Sequence, residues 1–516
     1  HLGLLADNGG PTKTIALQGG SVALDAGVDI VGVTTDQRGT ARPQLNAPDI
    51  GAFELAPGAG SLVVTTTVDE NNGTSDPNFG TGTSLREALI YAQSLGGAQT
   101  ITFNPSLAGQ TVTLTSAWNT ADGYNSTSAL RVDGNVTVQG PDSAPGIRLQ
   151  VANASQLRHF LVGGSGTLVL KNVTVTGGKA MLSGADYGGA VWNFGNVTVR
   201  NCTFTGNTAA AEGGAIQSWG DSPSVSIENS SFIGNSSNGT GGALNLGASA
   251  MTLKHLTITN NTSPSNAVSL YKNSATMINT IIAGNSSDAV VGVNGGTFSP
   301  TSKNNLLATA SAPGLTNGSN ANQLGVSVSN LWLAPLALNG GPTPTVALQP
   351  GSIAIDAGVV IDGLTTDQRG TSRPQQDLPD VGAYELVWVQ AAAPVINPPT
   401  YKHERAVLIT ITSPSPNTMI RYSVQFDSTM QDRLYTGPFY LSRTRTVYAT
   451  AFGRGWLPNV NSANYAIDQP LAYWFNEIHP EGDYLGNMSG DGIVDLLKYA
   501  FNLAPQPGDL EKPNYR

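Results

Sequence analysis

One block of sequence occurs twice at a fixed offset, and few folds accommodate that. Residues 2–55 end in LDAGVDIVGVTTDQRGTARPQLNAPDIGAFEL, and residues 335–386 end in IDAGVVIDGLTTDQRGTSRPQQDLPDVGAYEL. Asp25 matches Asp356, Asp36 matches Asp367 and Glu54 matches Glu385, always 331 positions apart and without a gap. His1 thus corresponds to Trp332, inside the block. The expectation is that residues 1–55 are the tail of one unit, that 56–386 form a complete unit, and that the chain is a piece of a longer tandem array.

A shorter period runs between the two blocks. Gly188-Gly-Ala, Gly213-Gly-Ala and Gly241-Gly-Ala recur at steps of 25 and 28, interleaved with Asn207, Asn235, Asn261 and Asn285 at steps of 28, 26 and 24. Alternating runs such as NVTVRNCTFTGN and SVSIENSSFIGN precede the asparagines. Period-two alternation of Val, Ile, Thr and Phe marks half-buried strands. Strands repeating every 20–50 residues mark a solenoid. A step of 24–28 residues holds one coil of a right-handed parallel β-helix, with 151–330 as the main coils. Apolar residues would stack inside, and the repeated asparagines would stack into a hydrogen-bonded ladder. The Gly pairs suit corners that need positive φ. A phosphate cradle is the functional alternative, but no lysine or helix start follows them.

Charge is scarce where the coils are expected. Only 12 % of the chain is charged, against about 25 % in ordinary domains. Residues 151–330 hold five acidic and seven basic residues. Like charges at matching positions of a solenoid would lie about 4.8 Å apart and repel, whereas Asn, Ser, Thr and Gly stack without that cost. A net charge of −10 argues against a nucleic-acid partner. One cysteine, Cys202, excludes an internal disulfide framework. No apolar run is long enough for a membrane span.

The ends of the unit need covers. Ser84-Leu-Arg-Glu87 is a capping box opening a helix over 84–95, with Leu85, Ala88, Leu89 and Ala92 on one face. At the other end, 331–386 reads as a cap, with Asp367, Arg369, Arg373, Asp380 and Glu385 pairing to pin a loop over the last coil. An acid pair with an arginine clamp is the alternative reading of the same residues.

The GGA[V/I/L] triplets, with Phe204-Thr-Gly-Asn207 and Phe232-Ile-Gly-Asn235, resemble the repeats of chlamydial polymorphic outer-membrane proteins. TSLREALIYA resembles the CSLREA motif of bacterial surface β-helix proteins, with Thr83 in place of the usual cysteine. NGGPT…IDAG…TDQRG…RP…DVGAYE is similar to the choice-of-anchor β-helix family. These resemblances cover about residues 1–386. They imply a secreted or cell-surface bacterial protein, adhesin-like and mostly without activity.

Composition shifts at 387–395, a Pro/Ala-rich linker. Strand-like runs 8–12 residues apart then suggest a small β-sandwich over 396–467. The words IRY, LYTGPF, TVYATAF and GW resemble the C-terminal module of chitobiase and β-hexosaminidase, whose usual DGS-P turn is replaced by Gln425-Phe-Asp-Ser428. That module is an accessory domain. Tyr422, Tyr435, Tyr448 and Trp456 form either a sugar-stacking platform or part of its core. Residues 468–516 are acidic and resemble half a dockerin, with a short helix. Asn487, Ser489, Asp491, Ile493 and Asp495 would supply Ca²⁺ ligands, but Lys498 stands where the bidentate carboxylate belongs. A folded tail with an Asx-rich turn is the favoured reading.

Parallel β-helices also host polysaccharide lyases and hydrolases, which need paired carboxylates or a base beside cations. Asp186, Glu212, Asp221, Glu228 and Asp288 are scattered, and His159 and His255 are isolated. No nucleophile elbow, zinc motif or P-loop occurs. The reading that results is a non-catalytic surface protein acting as adhesin, stalk or matrix, with glycans or surface proteins as partners. The alternatives are a polysaccharide-binding or polysaccharide-degrading wall, and a self-associating filament subunit.

Overall fold

The computed structural model describes residues 1–118, 128–182, 186–219, 224–403, 406–425, 432–441 and 443–467. It forms two compact units. The first is His1–Leu348 with Ala354–Leu386, and the second joins Gln349–Ile353 to the described residues after Leu386. The expected Ca²⁺ loop and helical tail over 468–516 lie outside the described residues.

The first unit is a right-handed parallel β-helix. Each coil contributes strands to three faces. In the first, Asn135–Gln139, Thr167–Lys171 and Asn196–Arg200 pair in parallel and in register, followed by Ser224–Ile233 and Ala250–Thr259, each of which turns the corner into the second face. Register puts Val136, Leu168, Val197, Val225 and Met251 in one column and Val138, Leu170, Val199, Ile227 and Leu253 in another, all sealed from solvent. In the second face Phe204 stacks on Phe232, centroids 5.0 Å apart and 9° from parallel. The third face stacks Phe160, Val191, Ile216, Leu244 and Val268. Burial of about 1.5–3 kcal/mol per large side chain, repeated coil upon coil, is the main stabilising contribution. Coils start before residue 151, because Val63–Val64 already pairs with Ala98–Phe103, which pairs with Asn135–Gln139.

Between the first and second faces the chain turns a corner through a left-handed residue. Asn172, Asn201, Asn229, His255, Asn279 and Asn304 all have φ between 45° and 56°. Asparagine tolerates this region better than most side chains. A column of such corners runs down the flank.

The helix Leu85–Leu95 forms where its capping box places it, with Ser84 and Glu87 bonded reciprocally. Leu85, Ala88, Leu89 and Ala92 are buried against the first coils. Arg86 grips both oxygens of Asp69 at 2.8 Å and donates to the carbonyls of Ala129 and Ser116. The helix is thereby tied to the coils by polar as well as apolar contacts.

Residues 332–386 depart from the expected plug over the last coil. They lie along the flank, against the column of left-handed corners. Thr343 Oγ1 donates to Asn201 O, Asn229 Nδ2 to Thr366 O, and Asn304 Nδ2 to Ala357 O. Asn279 is gripped from both sides: its Nδ2 donates to Val359 O at 2.7 Å and its Oδ1 accepts from Val359 N at 3.0 Å. The physical reason is that corner residues leave polar groups unpaired by the strand ladders, and a neighbouring segment must satisfy them.

The second unit is a two-sheet β-sandwich. Val395–Asn397, Val407–Thr412 and Phe439–Leu441 form one antiparallel sheet. Met419–Val424, Arg433–Leu434, Arg445–Gly453 and Trp456–Ile467 form the other. Ile396, Ile409, Ile411, Val447, Ala449 and Tyr465 fill the space between. Residues 387–395 are not free linker, since Val389–Gln390 adds a parallel strand beside Trp456.

Candidate functional site

The repeated asparagines form one continuous polar column inside the coils. Asn207 Nδ2 donates to Asn235 Oδ1, Asn235 Nδ2 to Asn261 Oδ1 and Asn261 Nδ2 to Asn285 Oδ1, each at 2.9 Å. The backbone N–H of each also donates to the next amide oxygen. Asn285 ends the series on Asp288 Oδ1 at 2.8 Å. A second column escaped the sequence reading because its residue types alternate. Cys202 N donates to Ser230 Oγ, Thr280 N to Asn305 Oδ1 and Asn305 Nδ2 to Asn322 Oδ1. Buried amides whose hydrogen bonds are all made inside the protein have none to offer a ligand.

The charged cluster of 332–386 is likewise committed internally. Asp367 Oδ1 accepts the amides of Arg369 and Thr371, and its Oδ2 accepts Arg369 Nε and the amide of Glu385. Glu385 accepts Arg373 Nη1 at 2.7 Å and the amides of Gln375 and Asp380. Asp380 accepts the amides of Asp356 and Leu386. Arg369 lies over the Tyr384 ring, 3.6 Å from its centroid. Burial and then the Glu385 charge push Asp380 up, and burial raises Glu385. With every carboxylate oxygen engaged, the geometry is that of a pinned loop; an acid pair facing substrate would need a free oxygen.

The described coil acids are not brought together; Asp221 lies outside the described residues. Glu228 lies on the first face between Arg200 at 3.2 Å and Lys254 at 3.3 Å. Glu212 belongs to the loop before the third face, where its Oε2 accepts Asn245 Nδ2 at 2.7 Å. Burial raises the Glu212 pKa. Asp186 is fully buried. His159 is enclosed, with Nε2 3.2 Å from Leu149 O, and burial lowers its pKa to about 4. Among the described residues no cluster of His, Cys, Asp and Glu is arranged to hold a metal. No helix among them is long and apolar enough to cross a membrane.

The feature that does face outward is aromatic. Trp192 points away from the coil core on the third face but is itself covered, only 5 % exposed, and Phe194 and Trp219 follow two strands of that face directly. Trp219 stacks on Tyr271 at 5.2 Å and 19°. The intervening coil carries Gly247 at that level, and a Cβ there would meet Tyr271 at 3.6 Å. The nearest atom to such a Cβ is Ser218 O at 3.1 Å, so the coil leaves little room for a side chain beside the stack. Tyr187 bridges Trp219 at 6.2 Å and Trp192 at 5.4 Å, and Phe194 packs on Trp192 at 4.9 Å. Arg158 sits 4.6 Å over the Trp192 ring, and Lys272 lies 5.4 Å from Tyr271. Trp219 is 42 % exposed, unusual for a tryptophan. In register beside this ridge run Gln217, Asn245 and Ser269. Gln217 Oε1 and Ser269 Oγ have no hydrogen-bond partner among the described residues.

The four aromatic residues of the second unit, open between a platform and a core role, do not share a face. Tyr422 stacks on Phe439 at 4.4 Å and meets Tyr435 edge-on, both against the sandwich core. The Tyr435 hydroxyl accepts Ile411 N at 3.0 Å. Tyr448 pairs with Ser423 on the opposite side of the sheet, one register position from the inward Val447. Trp456 Nε1 donates to Pro416 O at 3.0 Å. Strand alternation separates these residues, so a four-residue sugar platform is not formed.

Residues 131–330 match the family model described as a right handed beta helix region. No curated protein and no solved structure matches the chain.

Proposed function

We propose that the chain is a non-catalytic, extracellular protein of a bacterial surface, whose β-helix binds glycan through the Trp219–Tyr271 stack, with Tyr187 beside it and the buried Trp192 beneath as support. The observation that carries this reading is the Trp219–Tyr271 stack, an exposed aromatic surface kept open across one coil by Gly247. Aromatic rings present a flat apolar face to the C–H face of a sugar ring. The scarcity of charge on the coils suits a neutral polymer, and the committed carboxylates of 332–386 support a binding role over a cleaving one. Adhesion or a stalk or matrix role follows from a long rigid wall with such a ridge. The resemblance to secreted β-helix proteins supports the extracellular setting.

A glycan array followed by titration of the best ligand tests this. Trp219→Ala should weaken binding about tenfold, equivalent to ~1.4 kcal/mol, while Tyr448→Ala in the second unit leaves it unchanged. Binding lost with Tyr448 and kept with Trp219 would overturn the reading. Release of shortened glycan that stops in Glu212→Gln would instate the polysaccharide-degrading alternative, since Glu212 holds a burial-raised carboxyl near the ridge.

A further inference from the structure

Residues 1–55 fold as residues 332–386 do and repeat most of their hydrogen bonds, although Arg42 stays 3.5 Å from Glu54 where Arg373 donates to Glu385 at 2.7 Å. Arg38 Nε reaches Asp36 Oδ2 at 2.9 Å as Arg369 Nε reaches Asp367 Oδ2 at 2.8 Å. Gln44 N and Asp49 N donate to Glu54 as Gln375 N and Asp380 N donate to Glu385. The groups that seat 332–386 on the flank are the Gln368 side chain, Thr343 Oγ1, the amides of Gly382, Ala383 and Val359, and the carbonyls of Ala357, Val359 and Thr366. Their counterparts are Gln37, Thr12, Gly51, Ala52, Val28, Ala26 and Thr35. All are main-chain groups or identical side chains, so residues 1–55 retain each one. Gln37 Nε2 is already aimed, donating to Thr12 Oγ1 at 2.6 Å as Gln368 Nε2 does to Thr343 Oγ1 at 2.8 Å.

The difference is what lies opposite. A Cβ on Gly358 would meet the Asn279 amide, and one on Gly382 would meet Thr257 and Ile281. The counterparts Gly27 and Gly51 face nothing outside residues 1–55. In the place of the flank there is a cavity of about 440 Å³, lined by Gly27, Val28, Gln37, Arg42, Ile50 and Ala52 among others. Around it Ile50, Val28, Ile30 and Val33 are exposed.

We propose that this face of residues 1–55 is a docking surface for the flank of another parallel β-helix, one that presents a column of left-handed Asn corners as residues 201–304 do. The cavity takes the projecting corner amide, and Val28 N and O grip it as Val359 N and O grip Asn279. This chain's own flank is not the partner, because residues 332–386 cover it. The flank becomes a usable probe once it is uncovered.

The test uses the whole chain. Gln368→Ala with Ala383→Arg removes the side-chain grip of 332–386 and places bulk against Thr257, leaving a bare flank for residues 1–55 of a second copy. Sedimentation over 1–50 micromolar should then show concentration-dependent association, and adding Ala52→Arg should return the chain to monomer. A variant that stays monomeric while amide exchange shows the flank uncovered overturns the proposal, as does association that Ala52→Arg leaves unchanged. Should the double variant lose cooperative unfolding, Gln368→Ala alone is read against the same two outcomes.

Discussion

Val381 in residues 332–386 is 0 % exposed against the coils, while its counterpart Ile50 in residues 1–55 is 56 % exposed. Gln368 and Gln37 differ in the same direction. Nevertheless the two segments share their antiparallel strand pair, their left-handed aspartate (Asp25 and Asp356, both at φ 51°) and their arginine–carboxylate lattice. The comparison separates two jobs carried by one sequence. The internal lattice sets the conformation whether or not a flank is present. The outward glycine, alanine and glutamine positions set what the segment can sit on.

The largest way to sharpen this contrast is a charge at the sealed position. Val381→Asp should cost about 3–5 kcal/mol, the penalty of a buried unpaired carboxylate. Ile50→Asp should stay within about 0.5 kcal/mol, as exposed substitutions do. Urea unfolding midpoints measure both, and similar losses would break the distinction. A smaller effect is expected from the glutamines. Gln368→Ala strips buried partners from Thr203, Ser231 and Thr343 and should cost about 1–3 kcal/mol, whereas Gln37→Ala should be near neutral by the same measurement.

The smallest effect is a pH dependence confined to the docked copy. His255 lies beneath 332–386, and burial, then the Arg373 charge, holds its pKa well below 6.5. Asn279 Nδ2 lies 3.0 Å from its Nε2, a bond that only an unprotonated nitrogen accepts. Below about pH 6.5 the unfolded histidine binds a proton that the folded one refuses, so this contribution to stability is lost as pH falls. Asp380 and Glu385, raised on folding, act oppositely: their protonation favours the folded state, and that contribution fades as pH rises through their folded values. The stability of the native chain relative to His255→Gln should therefore decline between pH 7 and 5. Relative to the intrinsic exchange rate at each pH, exchange at Val359 and Gly382 should speed up over that range, with Val28 and Gly51 unaffected. Equal acceleration at both copies would contradict the assignment.

How much of this the sequence announces depends on the kind of contact. The coil period, the capping helix and the Asn207–Asn285 column are readable because the same side chain recurs at the coil spacing. The docking of 332–386 on the flank is not readable, since Pro344 O, Thr366 O, Val359 and Gly382 act through their main chain and their partners lie 80 to 141 positions away. The aromatic ridge is hidden for another reason. Phe194, Trp219 and Tyr271 come from coils at unequal intervals, and the residue that lets two of them meet is a glycine. In the second unit, aromatics at strand spacing left a platform and a core role both open; Tyr422 and Tyr435 pack on the core, and alternation turns Tyr448 to the other side.

The asparagine column has a direction, and that limits how the row itself can be lengthened. Every amide from Asn207 onward points its N–H toward the following coil, so the side-chain dipoles add head to tail instead of cancelling. Asp288, which can only accept, closes the row at its electropositive end. A coil duplicated anywhere ahead of Asn285 preserves the alignment, since each new asparagine gives and receives as its neighbours do. One added after Asp288 meets a carboxylate with no proton to pass on. The row can gain length by duplication ahead of its terminator but not past it, while the coils themselves run on beyond Asp288 through Leu306–Leu307 and Gln323–Leu324, held by the second column.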